Sequence, residues 1–254
     1  MRTCLAAAII FMGVVVTGNA EASCTAPREL VNFSMPLPNF VRVLGANRRV
    51  KIVALGSSST AGSGASSPNA SYPARLDAEL DSRYPGHEFQ VTNLGAGGQL
   101  AKDMLERIER DIVPQAPALV IWQTGVNDAI ADVGIDRFRE TLMTGIARLK
   151  EASIDVILVD MQYYPRSERV AGYTDYLAVM RSVAEQEKIP LFRRFLIMKH
   201  FVKSGQYTSD QLLAPDNFHL NDLSYGCLAT LLADAIENQL ARAQIARNHS
   251  APTN

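Results

Sequence analysis

Metal and cofactor signatures are missing from this sequence. Its three cysteines and four histidines form no C-x-x-C, no H-E-x-x-H and no other cluster with metal-ligand spacing, so no metal site is expected. A Walker lysine is absent, and Gly95-Ala96-Gly97-Gly98 lacks the G-x-G-x-x-G spacing of a dinucleotide loop, so no cofactor is expected either. Charge of one sign is equally scarce. Twenty-five Lys and Arg against 26 Asp and Glu leave a formal net charge of -1, which gives no bulk attraction to nucleic acid or to an anionic membrane surface. Past the N-terminus no apolar run approaches the roughly 20 residues that a spanning helix needs. Repeats and low-complexity linkers are lacking as well. What is present, 254 residues of which 47% are apolar and 20% charged, fits one globular domain with a sizeable core.

The N-terminus is the exception. Arg2 precedes an apolar run from Cys4 to Val16, and small residues follow, with Ala20-Glu21-Ala22 as an A-x-A site. That pattern reads as a secretory signal over residues 1–22, with cleavage after Ala22, or after Ala20 as second choice. The expected mature chain, 23–254, is then a single exported domain, periplasmic or secreted, with no stable membrane anchor. Cys24 and Cys227 remain after cleavage. A disulfide between them stays open, while the apolar helical pattern around Cys227 favours a buried thiol. Lipidation of Cys24 is not expected, because Glu21-Ala22-Ser23 lacks the aliphatic residue that such processing prefers.

Short apolar runs alternate with helical stretches along the rest of the chain. Strands are expected over 49–55, 89–94, 117–123, 154–161 and 189–192, and helices over 72–84, 103–112, 136–150, 173–187 and 223 to about 246. The third strand is almost continuously apolar, as expected where both faces of a parallel sheet are covered. The alternation implies β-α-β units and hence an α/β class fold, a three-layer α/β/α sandwich with a mostly parallel sheet. In such sheets ligands gather at the carboxyl ends of the strands, near the point where strand order reverses.

Four segments fall at that end or in the loop before the last helix. They are Gly56-Ser57-Ser58-Ser59-Thr60-Ala61-Gly62, Asn93-Leu94-Gly95-Ala96-Gly97-Gly98, Gly125-Val126-Asn127-Asp128 and Asp216-Asn217-Phe218-His219. Through these residues the chain resembles the SGNH (GDSL-like) hydrolase superfamily, named for a Ser, a Gly, an Asn and a His in four ordered blocks. Gly56, Ser58 and Gly62 match G-D-S-x-x-x-G except that Ser57 stands where the family has Asp. Asn93, Gly95 and Gly98 match N-x-G-x-x-G, Gly125, Asn127 and Asp128 match G-x-N-D, and Asp216 and His219 match D-x-x-H. Each block alone is weak, but the four occur in order over most of the chain from Val50 to the last helix.

The resemblance implies a flavodoxin-like sheet and a serine ester hydrolase working through an acyl-serine intermediate, and the signal pattern makes it an exported one. Ser58 would be the nucleophile, His219 the general base and Asp216 the group that orients the imidazole. The oxyanion donors would be Ser58 N–H, Gly98 N–H and the Asn127 side-chain amide. A small-molecule or glycan ester is the expected partner. Two rivals stand beside this reading: a carbohydrate O-deacetylase or acyltransferase at the same site, and a catalytically silent binding module, which Ser57 alone favours. Blander roles are also on the table. The serines could form a cap, Asp128 could cap a helix or support the site, Trp122 could be core or pocket wall, and Tyr163-Tyr164-Pro165 could line a pocket.

Overall fold

A computed structural model describes the backbone of residues 24–250 and side chains through 245; residues 1–22, where a secretory signal is expected, lie outside the described residues. The Pro-containing lead carries two short helices, α1 (Arg28–Val31) and α2 (Pro38–Ala46), before strand β1 (Arg49–Gly56) enters the core. There follow α3 (Ser58–Ala61), α4 (Tyr72–Arg83), β2 (Glu88–Gly95), α5 (Ala101–Arg107), β3 (Leu119–Gln123), α6 (Val126–Ile130) and α7 (Ile135–Glu151). The chain continues through β4 (Asp155–Val159), α8 (Tyr173–Gln186), β5 (Leu191–Phe192), α9 (Arg194–Lys203), α10 (Ser209–Leu212) and α11 (Asp222–Ser250).

The five strands pair in the order β2-β1-β3-β4-β5, and every pair is parallel. This is the flavodoxin-like order that the family resemblance implies. Right-handed crossovers fix the layers. The β1→β2 crossover carries α4, which packs with α11, whereas the crossovers toward β5 carry α5, α7 and α8, which pack against one another. Order reverses between β1 and β3, so the loops after those two strands open onto one crevice. All five residues of β3 are buried, including Trp122, whose indole N–H donates to Met104 Sδ at 3.2 Å. Trp122 is therefore core and not pocket wall.

Several element boundaries differ from expectation for local reasons. β4 ends at Val159, and just past it the Asp160 N–H still donates to Phe192 O while its carboxylate accepts from Phe195 N at the start of α9. The helix expected over 103–112 starts at Ala101 and widens after Arg107 into a π turn, Ile108–Ile112, that buries both isoleucines. α9 was not expected at all; its Phe195, Ile197, Met198 and Phe201 are buried but sit in a nearly unbroken apolar run that hides the helical period. Cys24 and Cys227 are joined as a disulfide, with Cα atoms 5.1 Å apart, so Cys227 is not a free buried thiol.

Candidate active site

Ser58 is the first residue of α3, and the four-residue helix leaves β1 after one intervening residue. Such an abrupt strand-to-helix turn lifts a side chain above the end of the sheet, and Ser58 stays half-buried while Ser57, Ser59 and Thr60 are buried. The turn is held from beneath by Gln123, the last residue of β3. Its Oε1 accepts from Ser57 N (3.2 Å), Ser57 Oγ (3.2 Å) and Thr60 Oγ1 (3.1 Å). Thr60 Oγ1 is also 3.4 Å from Tyr72 Oη.

The histidine comes from the loop before α11. Asp216 Oδ1 accepts from Phe218 N at 3.0 Å and His219 N at 2.9 Å, and Asn217 turns the chain with a φ of 56°. Asparagine tolerates that left-handed region better than most residues. The same carboxylate uses Oδ2 to accept from His219 Nδ1 at 2.6 Å, and His219 Nε2 lies 2.9 Å from Ser58 Oγ. With Nδ1 donating to a carboxylate, Nε2 is left to accept the serine proton. Burial pushes the Asp216 carboxyl upward, but hydrogen bonds from His219 and Phe218 outweigh it and hold the group below its usual range. Gly64 backs the loop with a φ of 88°, and a Cβ there would lie 2.4 Å from Leu220 O and 3.1 Å from His219 Cβ.

The loop after β2 lies against the nucleophile turn. At Gly95 a Cβ would lie 2.0 Å from Ala61 N, so only glycine lets β2 end against α3. Asn93 Oδ1 accepts from Gly95 N at 2.9 Å, and Ala96 N donates to Gly56 O at 2.9 Å. Gly98 is exposed with a φ of 76°. Residues 127 and 128 tie this loop to the end of β3. Asn127 Nδ2 donates to Gln99 O at 2.9 Å, which engages one of its two N–H groups. Asp128 is buried and accepts from Ala101 N at 3.0 and 3.2 Å, capping α5. Burial pushes its carboxyl up, against the opposing pull of the Ala101 hydrogen bond.

Of the five site candidates, Ser58 and Asn127 sit in the short helices α3 and α6 that follow β1 and β3, Gly98 in the loop after β2, and Asp216 and His219 in the loop before α11. The aromatic pair behaves differently from expectation. Tyr164 is buried, packing edge-on to Phe218 at 5.0 Å, and so backs the histidine loop instead of lining a pocket. Tyr163 is half-buried against Phe195 at 5.5 Å. Gln123 and Gln162 escaped the sequence reading; the only signal for either was its place at, or three residues past, a strand end. Among the described residues no group of three or more His, Cys, Asp or Glu forms a metal-holding set.

Residues 23–242 match the sequence profile of the non-GDSL lipase-like family. The chain belongs to that family. Family and fold are those of SGNH-type ester hydrolases. Solved structures agree on the fold. A two-domain esterase active on acetylated mannans, co-crystallised with mannopentaose, superposes with a TM-score of 0.68 at 21% identity, covering 83% of this chain and 56% of that one. This chain therefore spans just over half of that two-domain protein. A lipase/acylhydrolase from Enterococcus faecalis gives a TM-score of 0.62 at 25% identity, over 75% of this chain and 96% of that one. An acetyl xylan esterase from Geobacillus stearothermophilus gives 0.62 at 22%, over 75% and 94%. A sequence search of curated proteins gives no match.

Proposed function

We propose that the protein is an exported carboxylic-ester hydrolase that removes small O-acyl groups, with acetylated glycans as the substrate class. The observation that carries the chemistry is the continuous relay from Asp216 Oδ2 through His219 to Ser58 Oγ, with contacts of 2.6 and 2.9 Å. His219 Nε2 takes the Ser58 proton as Oγ bonds to the ester carbonyl carbon. The negative charge on the carbonyl oxygen is met by N–H groups of Ser58 and Gly98 and by the remaining Asn127 amide hydrogen. Collapse of this adduct breaks the bond to the alcohol, which leaves with the proton from His219, and water then repeats the sequence on the acyl-Ser58 ester and releases the acid.

The glycan preference draws on the esterases for acetylated mannan and xylan among the similar structures. Export draws on the signal-like residues 1–22 and on the Cys24–Cys227 disulfide, a bond that persists in oxidising compartments. Turnover of p-nitrophenyl acetate should fall by about 10⁴-fold or more in Ser58→Ala and in His219→Ala. Equal rates in all three proteins would remove the assignment. Acetate release from acetylated mannan or xylan, compared with transfer to an added sugar acceptor, separates hydrolase from transferase. Labelling of Ser58 by a fluorophosphonate probe counts against a silent binding module.

A further inference from the structure

We infer that Gln162 is a positioning residue of the active site, its side-chain amide setting the distance between the nucleophile turn and the histidine loop. Gln162 lies three residues past the end of β4 and is 1% exposed. Its Oε1 accepts from Ser59 Oγ at 3.2 Å and its Nε2 donates to Phe218 O at 3.1 Å. Ser59 is the neighbour of Ser58, and Phe218 is the neighbour of His219. One planar amide therefore spans two segments that are 161 residues apart in sequence and meet in the reacting pair.

The orientation of that amide is fixed. A backbone carbonyl can only accept, so the nitrogen must face Phe218 and the oxygen must face Ser59. The strut itself is anchored, since Tyr173 Oη donates to Gln162 O at 2.6 Å from the start of α8. Phe218 transmits the constraint to the imidazole, the two rings meeting edge to face at 4.9 Å, with Tyr164 behind. His219 must take a proton from Ser58 and then return it to the leaving alcohol, so its ring has to hold its place through both steps. A misplacement of about 1 Å in such a pair costs on the order of 10²-fold in rate.

The inference rests on the proposal that Ser58 and His219 carry the chemistry, and the test separates the two. In Gln162→Leu, of similar volume but without either hydrogen bond, kcat for p-nitrophenyl acetate should fall about 10²-fold with KM little changed. Fluorophosphonate labelling of Ser58 should slow in parallel. Gln162→Glu adds a readout that packing alone would not move. Its carboxyl, raised by burial, can accept from Ser59 and donate to Phe218 O only while protonated. The variant's kcat should therefore decline at higher pH where the wild type stays level. Tyr173, which donates to the Gln162 carbonyl, its neighbours Arg194, Tyr164 and Asp160, and His219 are common to both proteins, so the difference between the profiles reports on residue 162. A folded Gln162→Leu within about twofold of wild-type kcat, or a Gln162→Glu profile parallel to wild type, overturns the inference. Should the Leu variant not fold, the Glu profile decides alone. An inactive Ser58→Ala beside an unimpaired Gln162→Leu removes only the strut, whereas an active Ser58→Ala removes the underlying assignment too.

Discussion

At the residue scale, the departure at position 57 turns out to have a structural answer. A serine reaches less far than the family aspartate and carries no charge, yet the nucleophile turn is held, because Gln123 brings an acceptor to it from the neighbouring strand. The three donors are unequal. Ser57 N and Thr60 Oγ1 have nowhere else to go in a buried site except the longer contact with Tyr72, so removing the acceptor costs more than removing one donor. Gln123→Leu should destabilise the protein by about 1–3 kcal/mol and lower kcat, while Ser57→Ala should cost about 0.5–1.5 kcal/mol. Urea unfolding checks the order of the two; an equal or smaller loss in Gln123→Leu would contradict it. The motif residues were legible because catalysis restricts both their type and their spacing. Gln123 and Gln162 were not, since a lone glutamine at a strand end has no local signature and gains its role only when strands are placed side by side.

Between elements, the longest covalent tie is the disulfide that joins the segment before α1 to α11. It closes a separation of 203 residues, and the turn just past α1 is also tied to α11 by Gln239 Nε2 and Arg242 Nη1, both donating to Phe33 O at 2.9 Å. Cross-linking so long a loop removes much unfolded-state freedom, about 5 kcal/mol in the chain-entropy model. Cys227→Ser, or reduction of the wild type, should lower the melting temperature, because the unfolded chain regains the freedom that the cross-link removes. Melting scans with and without dithiothreitol test this: wild type should shift and Cys227→Ser should not. The pairing could not be read from the sequence, where an apolar helical pattern describes a buried thiol and a buried disulfide equally well. α9 escaped for a related reason. Its Phe195-Leu196-Ile197-Met198 run fits a buried strand or a buried helix, and only packing between β5 and α11 decides.

For the whole molecule, strand and helix alternation was enough to specify a parallel α/β sandwich, but the order β2-β1-β3-β4-β5 came only with the family resemblance, because nothing local records which edge the chain turns toward. Burial of charge is a property of that assembled sheet. Asp160, just past β4, is enclosed entirely, and burial pushes its carboxyl from 3.8 up to about 7, with the Phe195 N–H and the charge of Arg194 pulling less strongly the other way. Arg194 is fully enclosed too, and burial pushes it down; its Nε donates at 2.9 Å to the Asp160 carbonyl and not to the carboxylate. With a folded value above the unfolded one, the native state binds the extra proton between about pH 4 and pH 7, so this group's contribution to stability falls as pH rises through that window and is fully lost above it. The interval corresponds to about 4 kcal/mol. Asp160→Asn keeps a carbonyl oxygen for Phe195 N and cannot ionise, so urea unfolding at pH 5 and pH 8 should show the variant gaining on the wild type as pH increases. Asp77, Asp128 and Asp155 are likewise pushed up by burial, but they are unchanged in the variant and cancel in the comparison. Parallel stability curves for the two proteins would mean that Asp160 ionises without penalty, and that the enclosed guanidinium compensates its charge after all.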